Sequence, residues 1–252
     1  MSIARFPFRF LWLTLLLFSQ GLVAADLATL LERVGTAYGG RQQLATATAF
    51  EQYGTTVSAM HRQPGRIHRA FQYPDRLRID VRYGEDDREL RVLSGASAWQ
   101  QGTPVTGARY DAMLLQAARL GLPGTLLDHR DRVSDGGFIT ARDGSRLRAL
   151  ELPFHGGLRL IAGVDPDTGR IVESRGIMAT AAEHDLEFAT VYSDFRTVGG
   201  RLFAFEETHY AMAGVVGQTR LDHVEVVQQL PEELFDGTLP DRPGPDQHLA
   251  RR

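Results

Sequence analysis

The stretch Arg76-Leu77-Arg78-Ile79-Asp80-Val81-Arg82-Tyr83 constrains the fold more than any other part of the chain. Leu77, Ile79, Val81 and Tyr83 alternate with charged residues, and a period of two is what a strand shows when one face is buried and the other wet. Weaker alternation runs through residues 50–60, 67–73, 89–93, 146–152, 158–164, 171–178, 186–195, 202–210 and 216–227. The connections Gly84-Glu85-Asp86-Asp87, Asp143-Gly144, His155-Gly156-Gly157, Asp165-Pro166-Asp167-Thr168-Gly169 and Gly199-Gly200 carry turn chemistry. Short consecutive strands joined by such turns predict an antiparallel meander and not βαβ units.

Helical spacing appears in two places. Asp26 is a candidate N-cap for a helix with Leu27, Leu30, Leu31, Val34 and Tyr38 on one face, stopped by Gly39-Gly40 and followed by a short turn through Leu44. Residues 110–120 interrupt the meander with Met113, Leu114, Ala117, Ala118 and Leu120 at helical spacing, and Leu122-Pro123-Gly124 ends the run. About ten strands with so few helices cannot be layered face to face, so the chain should be mainly β: a strongly curved antiparallel sheet or open β-barrel with helices over its concave side. Such a shape encloses an apolar space that side chains can fill or a greasy ligand can occupy.

The two ends read differently. Residues 1–25 combine Arg5 and Arg9, the apolar run from Phe10 to Phe18 and small residues at Val23, Ala24 and Ala25, the layout of a secretory signal peptide. The apolar run is shorter than the roughly 20 residues a membrane-spanning helix needs. The expected organisation is a signal peptide over 1–25, one domain over 26–236 and a disordered tail over 237–252, rich in Pro, Asp and Arg. The expected location is the periplasm, with no transmembrane segment after cleavage.

Composition removes several chemistries. Cysteine is absent, so the exported chain has no disulfides, no thiol nucleophile and no thiolate metal site. Lysine is absent too, which excludes a Schiff base or a P-loop lysine. The formal net charge is −3, with basic residues scattered among acids, and nothing suggests nucleic acid as a partner. His155-Gly156-Gly157 resembles the oxyanion segment of esterases but lies between two strands, and no G-x-S-x-G accompanies it. No H-E-x-x-H occurs, and His129 with Asp128 and Asp131 lacks a third partner nearby, so neither a metal nor a cofactor is expected. Glu206 and Glu207, as strand neighbours, should point to opposite faces. The arginines from Arg62 to Arg82 read as a solvated face.

Three segments together resemble the LolA/LolB-like superfamily of outer-membrane lipoprotein carriers and their relatives. They are Tyr73-Pro74-Asp75-Arg76-Leu77-Arg78, Leu93-Ser94-Gly95-Ala96-Ser97-Ala98-Trp99, and Val164-Asp165-Pro166-Asp167-Thr168-Gly169-Arg170-Ile171, the last followed by 192–196 and 200–203. The resemblance covers roughly residues 27–235. It implies an open barrel with a helical lid over a hydrophobic cavity that holds acyl chains without catalysis. Tyr73 stands where the classical carriers have a lid-latching arginine, and Ser94 where they usually have Asp.

Candidate lining residues are Tyr73, Leu77, Ile79 and Val81 on the strand side, Trp99 at the cavity mouth or in the core, and Met113, Leu114 and Leu120 on the helix. Three functions fit: a carrier of lipid or lipoprotein acyl chains, an envelope sensor with a filled interior and an envelope or outer-membrane protein as partner, and a His/carboxylate hydrolase.

Overall fold

The computed structural model describes residues 26–85, 87–179 and 185–238. The expected signal peptide, and the tail from 239 onward, lie outside the described residues. Among the described residues, thirteen strands form one antiparallel sheet. The chain thus makes two meanders. The first is β1 (Ala49–Ser58), β2 (Gly65–Gln72), β3 (Arg76–Tyr83), β4 (Asp87–Ser94), β5 (Ser97–Gln100) and β6 (Thr103–Val105). The second is β7 (Ser134–Thr140), β8 (Arg146–Pro153), β9 (Arg159–Val164), β10 (Ile171–Met178), β11 (Leu186–Val198), β12 (Arg201–Ala211) and β13 (Gly214–Val227). Pairing of β1 with β13 joins them in the order β6-β5-β4-β3-β2-β1-β13-β12-β11-β10-β9-β8-β7, and among the described residues β6 and β7 remain as free edges, so the sheet is not closed.

The alternation in β3 buries Leu77, Ile79, Val81 and Tyr83 on the inner face with Phe50, Phe71, Phe203, Phe205 and Leu221. Gly54 marks the irregularity in the β1–β13 register, where a Cβ would stand 2.2 Å from the Arg220 carbonyl oxygen. Only a residue without a side chain lets the two strands approach there.

Helices cover the inner face. The first, α1, spans residues 26–37 and packs Leu30, Leu31 and Val34 on β8, β9 and β10. Gly169, at φ +73°, lets the β9–β10 turn pass under α1, since a Cβ there would meet the Arg33 backbone at 2.7 Å. After α2 (Gly40–Thr46), helix α3 (Ala108–Leu120) fills the gap between the meanders with Met113, Leu115, Ala117 and Ala118 buried. Its neighbour α4 (Gly124–Asp128) buries Leu126 and returns the Thr125 hydroxyl to the Ala118 carbonyl at 3.0 Å. Arg201 ties helices to sheet: its guanidinium donates to the Ala47 carbonyl at 2.9 Å and the Leu122 carbonyl at 3.1 Å. Burial lowers its pKa to about 10.

The outer face departs from expectation. Residues 230–236 fold back over β1, β2 and β4, where Leu230 and Phe235 pack on Ala49, Ala70, Leu90 and Val92. Arg78 is covered with them: it is 4 % exposed and donates to the Leu234 carbonyl at 3.1 Å. Arg69 is also buried. The arginine-rich strands are therefore not simply a solvated face.

Candidate functional site

A cavity of about 340 Å³ lies between α3 and the inner face. Strands β2 and β3 supply Ile67, Ile79 and Val81, and α3 supplies Ala112, Met113 and Leu115. Gly176 on β10 makes room for the helix, since a Cβ there would sit 3.3 Å from the Leu115 Cβ. Val57, Phe188 and Val216 also line the cavity and are 51 %, 36 % and 38 % exposed, so it opens through an apolar lip. Inward along β11, Phe188 gives way on the same face to Thr190 and then Tyr192, which pair with His209 and Glu207 of β12.

That deeper part is a polar network. Arg69 and Glu207 sit three strands apart, on β2 and β12, a separation of about 14 Å on a flat sheet that the curl of this one shortens. The guanidinium meets both carboxylate oxygens, at 2.8 and 2.7 Å. Burial alone would raise the Glu207 pKa, but the charge and hydrogen bonds of Arg69 reverse it and hold the carboxyl below its ordinary value. His209 Nε2 lies 2.9 Å from Thr219 Oγ1 and Nδ1 lies 3.2 Å from Thr190 Oγ1. Arg119 donates to Thr190 Oγ1 at 2.7 Å, leaving that hydroxyl free to donate to His209 Nδ1. Burial, with Arg69, Arg119 and Arg91 adding repulsion and Glu207 opposing it, lowers the His209 pKa to about 4. The imidazole is neutral at pH 7 and passes hydrogen bonds from one threonine to the other.

The candidates from sequence separate on this geometry. Ile79, Val81 and Met113 line the cavity. Leu77 is buried in the adjoining core and Leu114 packs between two core clusters. Leu120 lines a smaller void of about 60 Å³ next to Arg119 and Glu207. Trp99 is on the other side of the sheet: it pairs with Val92 and packs against the segment carrying Leu230 and Phe235. It cannot form the cavity mouth. Tyr73 opens instead onto a second hollow of about 420 Å³, between α2 and α4, which Asp128 also lines; burial and the nearby Asp128 carboxylate raise the Tyr73 pKa. Sequence reading missed Arg69, Arg91, Arg119, Glu207 and His209. Glu206 and Glu207 point to opposite faces, as neighbours on a strand should: Glu206 pairs with Arg220 on the exposed side at 2.6 Å, and Glu207 turns inward to Arg69.

A LolA superfamily protein from Nitrosomonas europaea has the same architecture, at TM-score 0.53 and 13% identity over 82% of this chain and 96% of the other. The fold is LolA-like. An outer-membrane lipoprotein-sorting domain from Vibrio parahaemolyticus is more distant, at TM-score 0.48 and 10% identity over 77% of this chain and 93% of that one. No protein-family model matches the sequence, and no curated protein matches it. Within the LolA-like frame, α3 covers the cavity on the inner face. The Tyr73 ring lies against α4 at Gly124, where a Cβ would meet it at 3.6 Å.

Proposed function

We propose that this protein is an exported, non-enzymatic carrier that holds the acyl chain of a lipid or lipoprotein between α3 and the sheet. One observation carries the reading: the space under α3 is walled by Ile67, Ile79, Val81, Met113 and Leu115 and reaches the surface through an apolar lip. A cavity near 340 Å³ falls within the roughly 300–1,000 Å³ of small-molecule sites. Met113 suits chains of varied shape, since an unbranched thioether adapts to irregular partners. The LolA-like fold and the signal-type segment over residues 1–25 support a place in the periplasm.

The hydrolase reading finds little support in the geometry. Both oxygens of Glu207 are engaged by Arg69, and both nitrogens of His209 by threonines. A sensor with a filled interior fits poorly with an open cavity.

Mass spectrometry of the organic extract of purified mature protein tests the carrier reading. Lipid in near-stoichiometric amount, or saturable uptake of a fluorescent fatty acid by delipidated protein, is expected. A protein that purifies empty and takes up no acyl probe is not a carrier.

A further inference from the structure

The polar side of the cavity carries an excess of one sign. Arg69, Arg91, Arg109 and Arg119 line it against a single lining carboxylate, Glu89, while Glu207 stands behind Arg69. The strand register puts Arg69, Ile79 and Arg91 in one row across β2, β3 and β4, and Arg119 reaches the same space from α3. Three of these guanidiniums act on a single imidazole, that of His209.

Only Arg69 is fully answered. Arg91 donates to the Gln116 side-chain oxygen at 3.2 Å, and its nearest carboxylate, Glu89 at 3.7 Å, also bonds His61 at 3.0 Å. Arg119 donates to Thr190 and to the Phe188 carbonyl at 3.2 Å, with no carboxylate within 4.0 Å among the described residues. The Nε atoms of both arginines are buried without an acceptor. Both side chains are part-buried, so the desolvation cost falls on the inner edge of each guanidinium, which its neutral acceptors only partly offset. A carboxylate or phosphate would supply charge and acceptors together.

We propose that the ligand is a single-chain amphiphile with an anionic head, carboxylate or phosphate. The head sits at Arg91 and Arg119, and the chain lies along Ile79, Val81 and Met113 toward the lip at Val57 and Val216. This rests on the reading of the cavity as an acyl-chain site and adds the chemistry of the other end. The volume lies near the lower end of the usual roughly 300–1,000 Å³, which favours one chain over two.

Calorimetric titration of delipidated protein with four probes sharing a twelve-carbon chain tests it: dodecanoate, dodecyl phosphate, 1-dodecanol and dodecyltrimethylammonium. At least one anion should bind about ten- to a hundredfold tighter than the alcohol, the scale of a charge-assisted hydrogen bond, and the cation should bind weakest. Preference for dodecanoate assigns free fatty acids as the source; preference for dodecyl phosphate, matched by lysophosphatidylglycerol, assigns phospholipid products. Arg91→Gln and Arg119→Gln should erase the preference while keeping affinity for the alcohol. The head preference of the unaltered protein decides the matter even if a variant fails to fold. Alcohol binding as tight as both anions overturns the anionic head and leaves the acyl-chain site standing, whereas no binding of any probe overturns both.

Discussion

Arg69 and Glu207 meet with both carboxylate oxygens engaged, so removing one charge strands the other in a water-poor interior. Breaking a buried pair in this way costs about 3–5 kcal/mol, and Glu207→Leu should lower unfolding free energy in urea by that amount. Arg220→Ser, which breaks the exposed pair with Glu206, should cost under about 0.5 kcal/mol. His209 links the same network to pH. Its pKa of about 4 in the folded protein lies below the ordinary value of 6.5. Above pH 6.5 neither state is protonated and the site is neutral to stability. Between about 6.5 and 4 the unfolded chain binds a proton that the folded one does not, so stability falls as the pH falls. His209→Gln should remove that component: stability curves of parent and variant, measured by urea unfolding from pH 7.5 to 4, should differ most in slope within this window. Equal slopes would mean that the buried imidazole does not resist protonation.

At the scale of elements, the cover formed by residues 230–236 decides how the outer face behaves. Phe235→Ala should cost about 3–5 kcal/mol, as truncation of a buried aromatic does. Arg78→Ser should cost about 1–3 kcal/mol because it removes the bond to the Leu234 carbonyl, and a change below 0.5 kcal/mol would show that the cover does not form. All ten strands expected from alternation are present, as is the inserted helix, because both periods were long enough to read. The three further strands, β5, β6 and β7, are short or glycine-broken: β6 spans only Thr103–Val105 and β7 contains Gly136-Gly137. They also sit at or beside the edges of the sheet, where half-burial leaves a weak pattern. The fate of Trp99 was not legible either, since period two shows that a strand has two faces without showing what covers the second. Arg69 and Arg78 posed the same difficulty, because an arginine in an alternating strand looks alike whether it meets water or a buried partner on a distant strand.

For the whole molecule, curvature turns a row of arginines and a stripe of apolar residues into one cavity. The sheet brings β2 to β12, α3 closes the space, and the open edges β6 and β7 stay outside it. The central claim is that an acyl chain lies under α3. Photolysis of bound fatty acid carrying a diazirine near its chain terminus, followed by peptide mapping, tests it most directly. Label should fall on the α3 peptide containing Met113 and Leu115, on β3 at Ile79 and Val81, and at the lip around Val57 and Val216. Label confined to the outer face around Trp99 and Phe235, or to the hollow beside Tyr73, would contradict the account.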